Sequence, residues 1–285
     1  VAAILAGAAL AVSGVVMQSI LRNPLGSPFT LGISNAAAFG AAFAIVALGA
    51  GSTQSHASDA VVLGNAYLVT LSAFTWSLLS TALILAVARL RGATPETMIL
   101  TGIVAGSLFT AGTTALQYFA DDVQLSAIVF WTFGDMGRAS WNDMWILLAV
   151  IAPAMIYFLK NSWNYNALDA GDETALSLGV HANRLRVGGM LVTSLLTAFT
   201  VAFFGIIAFV GLVVPHIVRR ITGGGEHYLI PASALFGGAF LLGADILART
   251  LIAPVVLPVG ILTSFIGAPL FIWLLLRGMK RTNWS

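Results

Sequence analysis

The sequence contains no cysteine and very little charge, and each shortage excludes a class of function. Only 8% of its 285 residues are Asp, Glu, Lys or Arg, and the net charge is +2. Without cysteine there can be no disulfide bond, no cysteine-ligated iron–sulfur cluster and no thiolate nucleophile. The small net charge offers no electrostatic basis for binding nucleic acid. We therefore expect neither a disulfide scaffold nor a nucleic-acid-binding protein.

Several enzyme motifs are missing as well. The chain has no G-x-x-x-x-G-K-[ST] segment, so it should not bind ATP through a phosphate loop. It has no H-E-x-x-H segment, and its four histidines are scattered. His216 is the candidate base for an intramembrane hydrolase, but a histidine that bonds to backbone near the membrane interface is the simpler interpretation. We expect no catalytic residue, no resident metal and no cofactor.

Apolar residues dominate what remains. They make up 59% of the chain, against about 45–50% in soluble domains, and the mean hydropathy is +0.95. Lipid must therefore cover part of the surface. Long apolar segments occupy the ranges 1–20, 29–50, 60–88, 98–119, 141–159, 187–218, 229–248 and 257–276. The first lacks the basic flank of a signal peptide, and the chain starts within it without Met, so we expect an additional span upstream.

Charge placement predicts how these segments cross the membrane. A single helix over 187–218 would be about 48 Å long, well beyond a hydrocarbon core of about 30 Å. Arginines flank this segment on both sides, so the positive-inside rule predicts two crossings with a turn near Gly205. Nine crossings then place only Arg138 and Arg249 outside. The predicted cytoplasmic cations are Arg22, Arg89, Arg91, Lys160, Arg184, Arg186, Arg219, Arg220, Arg277, Lys280 and Arg281.

One internal loop, about 160–186, collects much of the scarce charge. Its centre predicts a short helix over 174–178, because Asp169, Asp172 and Glu173 suit a helix start and Gly179 suits a helix end. Ala175, Leu176 and Leu178 should form a small apolar knob that fits a groove on a soluble partner. The alternative is a helix lying on the lipid surface, which the acidic residues disfavour because the inner leaflet is negative.

Asp245 and Arg249 are the notable charges inside a span. At i and i+4 they can pair with each other. An ionisable residue in a membrane can also be functional. Asp245 therefore supports an alternative function, an ion-coupled secondary transporter. As a structural pair, the two residues would shape the outer rim, and Arg249 could offer its remaining donors to a carboxylate of a soluble partner.

Four motifs, in order, resemble the FecCD family of ABC-importer permeases, which take up iron–siderophores, haem and vitamin B12. The first is Gln18-x-x-x-Arg22-Asn23-Pro24-Leu25-Gly-Ser-Pro28-x-x-Leu31-Gly32. The second, in the charged loop, is Gly171-Asp172-Glu173-x-Ala175-x-x-Leu178-Gly179-Val180. The third is Gly205-x-x-x-Phe209-Val210-Gly211-Leu-Val-Val-Pro215-His216, and the fourth joins Leu257-Pro258-Val259-Gly260 to Gly267-Ala268-Pro269. Together they cover nearly the whole chain.

The resemblance implies an all-α polytopic bundle, with nine of the ten spans of a type II ABC importer permease in one domain over 1–285. It implies a multi-pass protein of a bacterial or archaeal inner membrane without its own ATPase site. The implied partners are a pair of ATPase subunits, a substrate-binding protein outside, and a second permease copy, either identical or homologous.

Residue roles are implied in the same way. The ATPase contact would consist of Asp172, Glu173, Ala175, Leu178 and Gly179. Asn23 and Leu25 would form the cytoplasmic gate, and Arg249 would dock the binding protein. Arg138 is a further docking candidate because of its predicted outer position. The spans 98–119 and 257–276 would line the pathway of an iron–siderophore or related chelate, with haem and vitamin B12 as alternatives.

Overall fold

The computed structural model describes residues 1–50, 65–138 and 140–278, and helices account for most of them. The predicted cytoplasmic cations Lys280 and Arg281, as well as His56, lie outside these ranges. The helices are α1 (Ala2–Leu21), α2 (Ile33–Val46), α3 (Ala66–Arg91), α4 (Pro95–Phe119), α5 (Asp122–Thr132), α6 (Trp141–Lys160), α7 (Ser162–Asp169), α8 (Asp172–Ser177), α9 (Ala182–Phe204), α10 (Val210–Thr222), α11 (Glu226–Thr250) and α12 (Val259–Gly278). The predicted all-α fold is confirmed.

Six of these helices are long and apolar enough to cross a membrane: α1, α3, α4, α6, α9 and α11. Two shorter apolar helices, α2 and α12, match the segments 29–50 and 257–276. The long segment 187–218 is divided as predicted, since α9 ends at Phe204 and α10 begins at Val210. Gly205 makes the break with a φ of 78°, a left-handed value that favours glycine.

Helix α1 lies at the centre of the bundle. Every residue from Ala9 to Leu21 is buried, and α1 packs against α9, α10 and α11. Close backbone contacts make this packing possible: a Cβ atom on Gly7 would collide with the Gly237 carbonyl, and one on Gly14 with the Gly211 carbonyl. In lipid, where apolar surface gains little from leaving its solvent, such close approach is a main source of helix association.

Two irregular segments, 22–32 and 205–209, enter the bundle from opposite ends. They leave α2 and α10 only about 21 Å and 20 Å long at 1.5 Å per residue. The first segment packs on α4, where a Cβ atom on Gly32 would lie 2.6 Å from Gly106 Cα. Irregular backbone at membrane depth is tolerated where protein buries it or where it lines a cavity. Both segments meet that condition, since they line one shared cavity of about 200 Å³.

The two ends of the bundle differ in charge. One end, called here the α8 end, carries the short helices α7 and α8 and gathers Arg22, Arg186 and Arg219 around acidic partners. The other, called the α5 end, carries α5 and the pair of Asp245 and Arg249. The α8 end is the one that the sequence predicts to be cytoplasmic.

Candidate functional site

The charged loop folds into two helices, α7 and α8, separated by Gly171 with a φ of 120°. Helix α8 begins at Asp172 and ends at Ser177, close to the predicted segment. At its end the Val180 N–H donates to the Ala175 carbonyl at 2.8 Å, and the Gly179 N–H donates to the Leu176 carbonyl at 2.9 Å. These two bonds form a Schellman motif. The prediction that Gly179 ends the helix is confirmed.

Arg186 anchors α8 to the bundle. Its guanidinium donates to both Asp172 carboxylate oxygens, at 2.8 Å and 2.6 Å, and to the carbonyls of Ile20 at 3.0 Å and Ala93 at 3.4 Å. The Arg186 side chain is 1% exposed, whereas that of Asp172 is 49% exposed. Arg22 lies 3.8 Å from the same carboxylate. The hydrogen bonds from Arg186 hold the pKa of Asp172 below its ordinary value.

Two of the three residues predicted to form an exposed apolar knob on α8 are exposed, and the third is not. Leu176 and Leu178 are exposed, at 64% and 67%, and Glu173 is exposed beside them. Ala175 is fully buried. It lies three residues after Asp172 and so shares the face of α8 that the Asp172–Arg186 pair holds against the bundle. The apolar face therefore consists of the two leucines, and Ala175 does not belong to it.

Behind α8, a second polar cluster connects α7 to the spans. Ser19 of α1 lies within hydrogen-bonding distance of Asp169 and Glu226, and Arg219 pairs with Glu226 at 3.1 Å. Sequence reasoning missed this cluster. Glu226 follows three glycines and looks like an ordinary acidic residue at a helix start, and nothing local reveals that it is fully buried. Its partners Ser19, Asn166 and Arg219 lie on other helices, and only the fold brings them to position 226.

A cavity of about 980 Å³ extends from the α8 end along the face of α4. Asn23 and Leu25, the predicted gate residues, line it near the α8 end, and Leu25 is 44% exposed. The rest of its wall comes from the 26–35 segment and from α4 between Ile99 and Thr114. Helix α12, which the resemblance implied for the pathway, does not line this cavity within the described residues and packs on α10 and α11 instead.

The α4 wall of this cavity is polar without being charged. Ser107, Thr110 and Thr114 each donate their hydroxyl proton to the carbonyl four residues earlier. Asn35 reaches across from α2 and donates to the Thr110 hydroxyl at 2.9 Å. No Asp, Glu, Lys or Arg lines this cavity in the part of the chain that the structure describes. Such a wall offers lone pairs and methyl groups, which suits weak contacts with a large ligand.

The two docking candidates at the α5 end have different surroundings. Arg249 Nε donates to Asp245 at 3.0 Å, as the i, i+4 spacing predicts, and its side chain is 45% exposed. Arg138 donates to the carbonyls of Phe130 at 2.8 Å and Trp131 at 3.1 Å, and therefore caps the end of α5. Burial lowers the pKa of Arg138. Of the two arginines, Arg249 is the one with an exposed guanidinium.

The remaining candidate of the sequence, His216, lies on α10. Its ring packs edge-on against Phe271 of α12, with the ring centres 6.1 Å apart. This contact joins α10 to α12, so packing accounts for the position of the imidazole.

Comparisons with known proteins agree with this architecture. The chain matches the FecCD transport family over residues 1–277. It is 59% identical over 280 residues to a Methanocaldococcus jannaschii protein named as an ABC transporter permease, covering 98% of this chain and 80% of that protein. It is 38% identical over 281 residues to the hemin transport system permease of Yersinia pestis, covering 99% and 81%.

A solved structure agrees as well. A transporter described as metal-chelate type, in an inward-facing conformation, superposes with a TM-score of 0.86 at 32% identity and covers 97% of this chain and 84% of that chain. The motifs, the helix order and these matches cover the same residues. The chain therefore belongs to the FecCD transport family, and it is a multi-pass membrane permease subunit that relies on a separate subunit for ATP hydrolysis.

Proposed function

We propose that this permease belongs to an ATP-driven importer of metal chelates, with a ferric siderophore as the first candidate cargo. The observation that carries the proposal is α8, which exposes two leucines at the surface and is tied through Asp172 to the buried Arg186. The Yersinia pestis relative is named for hemin, and the solved neighbour is described as metal-chelate type, which supports a chelate. Haem and vitamin B12 are the alternatives within the family.

The exposed face of α8 is the surface that an ATPase subunit would hold. Leu176 and Leu178 would enter an apolar groove, and Glu173 and Gly179 would lie at its rim. Force on α8 would then pass through the Asp172–Arg186 pair to the end of α1 and to the loop between α3 and α4, because Arg186 also holds the carbonyls of Ile20 and Ala93. A displacement of α8 thus reaches the spans that border the cavity.

The cavity along α4 would be the pathway of the chelate, with Asn23 and Leu25 as its gate at the α8 end. Alternating access requires two states whose populations ATP binding and hydrolysis can shift. The uncharged wall supports this role, since a large cargo can contact many weak partners and still leave. A strong ion pair at one point would slow its release.

A second permease copy would close the open side of this cavity. The outward face of α4 carries Leu100, Val104 and Leu108, each more than 60% exposed. At the α5 end, Arg249 would donate to a carboxylate of the substrate-binding protein. Arg138 is the weaker candidate because its donors already bond to α5.

The proposal is tested with the reconstituted complex of permease, ATPase and binding protein. We expect a ferric siderophore to stimulate ATP hydrolysis and to accumulate in vesicles. Stimulation by hemin or cobalamin alone would assign one of the alternative cargoes.

A matched pair of variants tests the role of α8. Leu178→Asp should abolish ATPase association, whereas Ile221→Asp, an exposed apolar residue at the same end on α10, should leave it intact. If uptake survives Leu178→Asp, depends on the proton gradient and is lost in Asp245→Asn, the protein is a secondary transporter and not an ATP-driven importer.

A further inference from the structure

A separate pocket of about 280 Å³ lies at the α8 end, between α6, α7 and the start of α9. Asn161 and Asn164 line it where α6 meets α7, and His181 and Arg184 line it at the start of α9. It shares no lining residue with the cavity along α4. No Asp or Glu is among the described residues that line it. The pocket therefore carries positive charge and no negative charge of its own.

Arg184 supplies that charge, and it has no counter-ion within the described ranges. Arg22, Arg186, Arg219 and Arg249 each lie within 4 Å of an acidic side chain, whereas Arg184 does not. Its side chain is exposed, and it makes no hydrogen bond with a described residue. A guanidinium presents five donors in a planar fork that matches the oxygens of a phosphate group. Arg184 is therefore available to an anionic ligand.

The other polar groups of the pocket are donors as well. Asn161 Nδ2 donates to the Tyr157 carbonyl at 2.9 Å, and Asn164 Nδ2 donates to Asn161 Oδ1 at 3.0 Å. An amide nitrogen carries two hydrogens, so each keeps one N–H for a ligand. His181, which precedes α9, makes no side-chain hydrogen bond to the helix, so the positive end of the helix dipole stays open beside Arg184. An anion with several oxygens fits this set of donors.

The depth of the pocket indicates a lipid as the source of such an anion. Helix α6 exposes Ile156 at 55% and then Lys160 one turn nearer the α8 end. Helix α9 exposes Leu191 at 49%, about 10 Å along the axis from Arg184. Trp163, which follows α6, is 71% exposed. Apolar surface that gives way to cations and an exposed Trp is typical of the level of the lipid headgroups.

We propose that the pocket between α6, α7 and α9 binds the phosphate group of an anionic phospholipid in the leaflet at the α8 end. Arg184 would hold the phosphate, Asn161 and Asn164 would donate to its oxygens, and the acyl chains would lie along the apolar faces of α6 and α9. Basic pockets between membrane helices suit anionic headgroups in this way. The site is independent of the cargo and of the ATPase. Arg186 points into the bundle instead, so α8 stays docked when the lipid leaves.

Native mass spectrometry of the purified permease with added phosphatidylglycerol tests the site. The wild type should retain one phosphatidylglycerol molecule, and Arg184→Gln should weaken its binding about fivefold. Asn164→Asp, which places a carboxylate in the pocket, should abolish the retained lipid. Arg91→Gln removes an exposed arginine at the same end but outside the pocket, and it should bind like the wild type. Equal weakening in Arg184→Gln and Arg91→Gln would mean that surface charge alone attracts the lipid, and the pocket would be rejected.

Thermal unfolding distinguishes the possible sources of the phosphate. Phosphatidylglycerol should raise the melting temperature of the wild type above its value in phosphatidylcholine alone, and should raise that of Arg184→Gln less. Because Arg184 is exposed, the two proteins should melt alike in phosphatidylcholine. An equal rise with inorganic phosphate at the same concentration would make the site one for free phosphate and overturn the lipid assignment. An equal rise in both proteins with phosphatidylglycerol would also overturn it.

Discussion

Replacing Arg186 by Met should release α8 from the bundle while leaving the membrane helices folded. The substitution keeps an apolar chain of similar length and removes the guanidinium that holds Asp172, Ile20 and Ala93. Helix α8 then keeps its packing on α7 and α9 and the longer contact from Arg22. The effect should therefore be local.

The structure gives the size of this effect. Breaking a fully buried ion pair costs about 3–5 kcal/mol. Asp172 is 49% exposed, so water recovers part of that cost, and we expect about 2 kcal/mol. Since about 1.4 kcal/mol corresponds to a factor of ten, the population with α8 undocked should rise about thirtyfold.

Hydrogen exchange of the permease in nanodiscs measures that population. Amides of residues 172–180 should exchange about thirtyfold faster in Arg186→Met than in the wild type. Arg184→Met, which removes an exposed arginine from the same turn of α9, should change little.

A second variant tests whether the ion pair itself is the anchor. Asp172→Asn should also accelerate exchange, and the double variant should not exceed the larger single effect by much, because both substitutions remove the same contact. Unchanged exchange in Arg186→Met, or fully additive effects, would refute the assignment of this pair as the anchor of α8.

Three further predictions concern packing, capping and pH. Gly14→Ala should destabilise the permease by about 1–3 kcal/mol or more, because the added methyl group would collide with the Gly211 carbonyl. The melting temperature should fall accordingly. In the control Gly243→Ala the methyl group meets nothing within 4 Å, so this variant should melt like the wild type. Arg138→Met should raise exchange in α5 through the loss of its C-terminal bonds, each worth about 1.5–3 kcal/mol; unchanged exchange would show that α5 needs no cap. Because the pKa of Asp172 is lowered, the amides of α8 should stay protected against hydrogen exchange as the pH falls to the ordinary carboxyl value of about 3.9. They should lose this protection only in stronger acid. Loss of amide protection near neutral pH would contradict the prediction.

The features that the sequence predicts well depend on local signals. Apolar length identifies the spans, and the excess length of 187–218 together with its flanking arginines identifies the break near Gly205. Gly179 ends α8 because its left-handed φ of 78° suits glycine in a Schellman motif. Each of these signals lies within a few residues of the feature that it predicts.

The features that the sequence does not reveal depend on distant partners. Ser19 and Glu226 are 207 positions apart, and no pattern around either residue indicates the contact. Arg186 counts as one of many cytoplasmic cations until its burial is known. Ala175 has the same apolar character as Leu176, and only the docking direction of α8 separates the buried residue from the exposed one.

The glycine contacts of α1 have a mechanical consequence. Where Gly7 meets Gly237 and Gly14 meets Gly211, backbone touches backbone with no side chain between them that could change rotamer and absorb a shift. Axial sliding would drive the carbonyl of one helix into the next residue of the other. Helices α1, α10 and α11 should therefore move as one rigid body. Under the proposed alternating access, relative motion would then occur where packing is less extensive, such as between α1 and α4.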